Sequence, residues 1–115
     1  MTQEQKDLLL KDLCSRLPYG VKGEKYTIRM DGEFVPLIDV EIITAEDIIT
    51  LNGCPGYAIK PYLFPLSSMT EEQLKEYMTI PSGYQTIDWF NKNHFDYRCL
   101  IERGLAIDAT NLNIY

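Results

Sequence analysis

Near the start of the chain, Leu10, Leu13 and Leu17 recur at i, i+3 and i+7, and Leu9 widens the stripe. Lys6, Asp7, Lys11 and Asp12 take the other side. That period predicts an amphipathic helix over residues 1–17. Thr2 followed by Gln5 reads as a capping box, and Pro18 with Gly20 ends the segment. From residue 21 to 60 the period becomes two. Tyr26, Ile28 and Met30 alternate with Thr27 and Arg29, the mark of a half-buried strand. Asp31-Gly32 then predicts a two-residue type I′ hairpin, with Ile28 opposite Val35 and Tyr26 opposite Leu37. Beyond it the apolar phase slips by one residue, so that Ile38, Val40 and Ile42 alternate with Asp39 and Glu41. A slip beside Pro36 predicts a bulge on an edge strand.

Residues 44–53 admit two readings. Thr44 and Asp47 could open a helix that Gly53 closes, but Ile48-Ile49-Thr50-Leu51 is rich in β-branched residues and favours a turn followed by a strand. Tyr57-Ala58-Ile59-Lys60 is the last strand of this group. Pro61 and Pro65 bracket Tyr62, Leu63 and Phe64, which predicts an extended or single-turn linker. Ser68 or Thr70 caps a helix whose acids fill its first turn and whose apolar face is Leu74, Tyr77 and Met78. Pro81-Ser82-Gly83 ends it. Two short helices follow, one capped by Thr86 with Ile87 and Phe90, one by Asp96 with Tyr97, Leu100 and Ile101. Gly104 and Leu105 stand where a Schellman motif would close the second, and Ala106-Ile107 suits an edge strand. The expected fold is a single α+β domain over 1–115. It has an N-terminal helix at 1–17, a small antiparallel SH3-like sheet or barrel at 21–60, and C-terminal helices at 67–104.

A chain of 115 residues, 45% hydrophobic and 24% charged, has the composition of one globular core. It has no apolar run near the ~20 residues that cross a bilayer, and no secretory signal, so a cytoplasmic chain without membrane partners is expected. Cys14, Cys54 and Cys99 are odd in number and widely spaced, which suits free thiols in a reducing compartment. Their neighbours Leu13 and Leu100 place Cys14 and Cys99 on inner helix faces. The net charge of −6 works against phosphate contacts and disfavours direct nucleic-acid binding. Asp31, Glu33, Asp39, Glu41, Glu46 and Asp47 run without a Lys or Arg among them. The simplest reading is the solvated side of a strand; a face for a basic partner and an acid–base pair are the alternatives.

Three stretches stand out together: Leu17-Pro18-Tyr19-Gly20-Val21-Lys22, then the run from Lys60 to Glu72, then His94-Phe95-Asp96-Tyr97-Arg98 with Leu100-Ile101-Glu102 and Gly104-Leu105-Ala106 beyond. In these the chain resembles an uncharacterised family of small proteins from gut Bacteroidales genomes and their phages or prophages. The resemblance implies a phage or mobile-element context and carries no catalytic or binding residues. It places a basic residue where this chain has Phe64 and a glycine where it has Cys99.

His94, Asp96 and Cys99 would be the parts of a thiol nucleophile set, but no nucleophile elbow or Gly-rich oxyanion segment accompanies them. The simpler reading is a helix-boundary histidine with Asp96 as a cap. Ligand pairs at zinc spacing are missing, and Gly53 and Gly56 read as turn residues, so no metal or cofactor is expected. Aromatics crowd the second half. Phe90 and Phe95 suit the core, whereas Tyr62, Phe64 and Trp89 are the candidate interaction surface. The resulting expectation is a small phage- or mobile-element-associated protein that binds or regulates another protein. The alternatives are a small enzyme using Cys99 or His94, and an SH3-like nucleic-acid-associated module.

Overall fold

In the computed structural model, which describes residues 2–81 and 83–115 apart from the side chains of Ile28, Ile38 and Asp39, the first helix α1 spans Gln3–Arg16. The capping box forms: Thr2 Oγ1 accepts from the Gln5 N–H at 3.1 Å, and Gln5 Oε1 accepts from the Thr2 N–H at 2.9 Å. A 3-10 turn over Leu17–Tyr19 ends at Gly20, whose φ of +68° is cheap only for glycine.

Strand β1, Lys22–Ile28, pairs antiparallel with β2, Phe34–Ile42. The turn between them is tight, but it is not the two-residue type I′ turn expected. Gly32 N–H donates to Arg29 O at 2.8 Å, Arg29 N–H donates to Glu33 O at 2.9 Å, and only Gly32 takes a positive φ, +86°. The pattern is a three-residue loop closed by a left-handed glycine. The extra loop residue moves the register by one, so Ile28 faces Phe34 and Tyr26 faces Pro36. The slip foreseen at Pro36 is present, because the pairing jumps from Tyr26–Pro36 to Lys25–Ile38 and leaves Leu37 unpaired. Since ladder pairs alternate outward from the bonded Arg29–Glu33 pair, the missing N–H of Pro36 faces the open edge of β2.

Residues 45–53 are helical, a correction to the strand expected there. Helix α2, Ala45–Gly53, carries its own capping box: Thr44 N–H donates to Asp47 Oδ2 at 2.8 Å and Asp47 N–H to Thr44 Oγ1 at 3.3 Å. Ile48 and Leu51 lie three apart and both are buried against α1, so cap and burial together outweigh the β-branched composition. The proline-bracketed linker is also corrected, because β3 runs without interruption over Tyr57–Pro65. Gly23 explains how β1 stays close to it. A Cβ there would lie 2.7 Å from Ile43 Cδ1 and 2.9 Å from Lys60 O.

The second half of β3 gains two short parallel partners, β4 at Phe95–Asp96 and β5 at Ile107–Asp108. The sheet is therefore mixed, with order β2-β1-β3-β4 and β5 also on β3. Helix α3 spans Glu71–Met78 and α4 spans Gly83–Lys92, so Thr86 lies inside α4 rather than capping it. Ser82, in the expected helix stop, lies outside the described residues. Residues 97–104 form turns instead of a third C-terminal helix, since Cys99 takes a φ of +58° that a right-handed helix cannot accommodate. Asp96 still caps them, accepting from the N–H groups of Leu100 and Ile101, each at 2.9 Å. The Schellman pair also forms, Leu105 N–H to Leu100 O at 2.9 Å and Gly104 N–H to Ile101 O at 3.1 Å. The architecture is α+β. Leu9 and Leu13 of α1, Ile48 and Leu51 of α2, and Ile59 and Leu63 of β3 meet Leu100 and Leu105 in one core.

Candidate interaction site

The three aromatic residues singled out from the sequence are held mainly by the protein itself. Tyr62 is 4% exposed, and both its hydroxyl and that of Tyr26 donate to the Glu24 carboxylate. Trp89 is 9% exposed, donates from Nε1 to Glu76 at 2.8 Å, and stacks on Phe95 with 5.5 Å between centroids. Phe64 is half-buried, between Phe95 at 6.3 Å and Tyr115 at 5.9 Å. Tyr62 and Trp89 are thus core residues. Tyr62 is enclosed because β3 is a strand rather than a linker, and Trp89 of α4 because it packs on Phe95 and Phe90.

Two of the cysteines, Cys14 and Cys99, depart from expectation in the other direction, since they were expected on inner helix faces. Cys14, Cys54 and Cys99 are free and exposed. On α1 the inward positions belong to Leu9, Asp12, Leu13 and Arg16, which turns Cys14 outward. His94 is part-buried in a left-handed backbone with φ +62°, and its ring lies parallel to Tyr115 at 3.7 Å. Burial, then Arg16 and Lys22, hold its pKa down at about 4, so the imidazole is neutral at pH 7. Both Asp96 oxygens accept backbone N–H groups from the turns that follow, which occupies the carboxylate that would have to orient a catalytic histidine.

A buried polar knot sits behind His94. Asp12 and Arg16 are fully buried and joined at 2.8 Å, Arg98 adds a second bond to Asp12 at 2.7 Å, and Arg16 reaches Phe95 O at 2.6 Å. Both guanidinium groups also lie over the Tyr97 ring. The knot ties α1 to β4 and the turns beyond. Nearby, Tyr115 closes a gap in the sheet. Where Lys22 would face Tyr62 in register, the Tyr115 hydroxyl accepts from Lys22 N–H at 2.8 Å and donates to Tyr62 O at 2.7 Å. Burial of that hydroxyl outweighs the hydrogen bond and the Arg16 charge, and its pKa is pushed up to about 12.

The carboxylate run is partly paired. Lys25, buried among β1, β2 and α2, bridges Glu41 at 3.2 Å and Asp47 at 2.9 Å. Burial opposes the charged form of each, yet the Lys25 pKa is raised by these partners, and the Asp47 pKa is lowered by Thr44 and Lys25. An amine held protonated in this way is a strut rather than a nucleophile.

An exposed apolar face lies on α3. No residue of α3 is buried. Tyr77 anchors the helix by stacking on Phe90 at 5.5 Å, while Leu74 is 48% and Met78 75% exposed. A groove of about 330 Å³ opens between α3, α4 and the preceding turn, lined by Leu66, Met69, Leu74, Tyr77 and Phe90. Glu71 and Glu72 stand in the first turn of α3. The stripe of Leu74, Tyr77 and Met78 was visible in the sequence as an apolar face. Only the tertiary structure shows that, among the described residues, Leu74 and Met78 stay exposed while Tyr77 packs on Phe90.

Among the described residues no cluster of three or more His, Cys, Asp or Glu side chains could hold a metal ion, and no helix is long and apolar enough to cross a membrane. Compared with known families, curated proteins and solved structures, the chain matches none.

Proposed function

We propose that this protein is a small cytoplasmic binding or regulatory module, associated with a phage or mobile element, that captures a protein partner in the groove between α3 and α4. The exposed apolar face of α3 carries this reading. A contiguous apolar strip left in water favours association once a complementary surface is available. The groove has an aromatic floor, as hot-spot pockets do, and the acids at the start of α3 favour an amphipathic helix with basic flanks. The net charge of −6 supports a basic protein surface over nucleic acid.

The test is capture from the native host compared with capture by a Leu74→Asp, Met78→Asp variant. Both positions are exposed, so the variant should keep the wild-type melting temperature and lose the partner. Unchanged capture by a folded variant would remove the groove from the proposal.

A further inference from the structure

We infer that a second, separate pocket under Lys60 binds a small organic acid consisting of a benzene-sized apolar group joined to a carboxylate. The pocket lies between the start of α1, β2 and β3, away from the α3–α4 groove. It is lined by Gln5, Phe34, Ala58, Ile59, Lys60 and Leu105, and its volume is about 140 Å³. A sealed apolar cavity of roughly 150 Å³ accepts benzene, and the space in this open pocket is similar, so its apolar walls suit one phenyl or branched aliphatic group.

The polar groups at the rim define the other half of the ligand. Lys60 Nζ lies 5.0 Å from the Phe34 ring centre and 5.9 Å from that of Tyr26. Glu24 stands directly opposite Lys60 in the sheet, yet its carboxylate is engaged by the Tyr26 and Tyr62 hydroxyls. No salt bridge joins Lys60 to a carboxylate among the described residues. Gln5 Oε1 is occupied by the Thr2 N–H, which leaves the Nε2 end of the amide as the donor for a ligand. An ammonium and an amide N–H beside a benzene-sized apolar space select an anion with an attached apolar group over a neutral or cationic molecule. A free aromatic acid and the C-terminal residue of a phenylalanine-ending peptide share this chemistry.

Titration of the whole chain followed by amide NMR tests the assignment, with phenylacetate, its neutral counterpart phenylacetamide, and phenylalanine-terminated peptides carrying a free or an amidated C-terminus. Phenylacetate should shift Phe34, Ala58, Ile59, Lys60 and Leu105 saturably, with a Kd on the order of 0.1–1 mM for so small a ligand. Phenylacetamide should bind about tenfold more weakly. Lys60→Gln should weaken phenylacetate about tenfold and leave phenylacetamide unchanged, which separates a lost charge from a lost fold. Phe34→Ala, at an exposed wall, should weaken both. Tighter binding of the free-terminus peptide than of phenylacetate identifies a protein terminus as the source, and the reverse order identifies a free acid. Equal binding of acid and amide by the wild type, or no saturable shift with any probe, overturns the assignment.

Discussion

His94 and Cys99 share a left-handed backbone that side chains rarely adopt, with φ of +62° and +58°. At His94 the surroundings also act on the ring. Its pKa of about 4 lies below the ordinary 6.5, so between those values the unfolded chain binds the proton more readily than the folded one. The contribution of His94 is complete above pH 6.5 and is lost as the pH falls toward 4. His94→Asn keeps a residue that tolerates the backbone and removes the titration. Urea midpoints measured across this window should fall less steeply with acid in the variant than in the wild type. Cys99 makes no comparable contact, and its thiol faces solvent. Glycine at this position should relieve the left-handed strain and cost some unfolded-state entropy. Cys99→Gly should therefore stabilise the fold by roughly 0.5–1 kcal/mol in chemical denaturation.

Elements meet where small residues permit it. β1 lies against β3 at Gly23, whose missing Cβ leaves room for Ile43 and for the backbone of Lys60 and Pro61. Two of the three contacts are backbone, which cannot rotate away. Gly23→Ala should cost roughly 2–3 kcal/mol, seen as a lower denaturation midpoint with unchanged helix signal in α1. At the far side of the sheet, β2 is an open edge with Leu37, Val40 and Ile42 exposed. Pro36 and the bulge at Leu37 interrupt the row of donors and acceptors that another strand would need. Several local signals held where both partners lie within a few residues, although the turn type at Asp31-Gly32 and the cap at Thr86 did not. The capping box at Thr2, the glycine-closed turn at Gly32 and the Schellman bonds of Gly104 and Leu105 were all legible in this way. At α2 the same logic was available in Thr44 and Asp47, but Ile48, Ile49 and Thr50 pointed to a strand, and the burial of Ile48 and Leu51 settled it.

Across the whole molecule, α3 and α4 are joined to the rest largely through aromatic rings, whereas Leu100 and Leu105 beyond them enter the aliphatic core and the buried Asp12–Arg16–Arg98 knot ties that segment to α1. Trp89 stands at that junction, in contact with Phe95 of β4, Phe90 of α4 and Tyr77 of α3. Trp89→Ala should lower stability by about 3–5 kcal/mol and broaden the tyrosine and phenylalanine resonances of α3 and α4. A surface anchor at this position would leave both unchanged. The sequence marks Tyr62, Phe64 and Trp89 as a candidate interaction surface, but an aromatic side chain has the same composition signature in core and interface, so the pattern alone does not separate them.

The order of residues was enough to specify the capping box at Thr2, a tight turn at Gly32, the bulge beside Pro36, the α+β class and the amphipathic stripe of α3. Each depends on hydrogen bonds or periodicity within a short span of chain. The tertiary structure alone decided that β3 continues through Pro61 to meet β4 and β5, that Tyr62 and Trp89 are enclosed while Cys14 and Cys99 are exposed, and that Leu74 and Met78 of α3 remain exposed. Burial is a property of which distant faces meet. Pairings such as Phe64 with Phe95, and the Tyr115 hydroxyl between Lys22 and Tyr62, join residues far apart along the chain, and no local pattern encodes them.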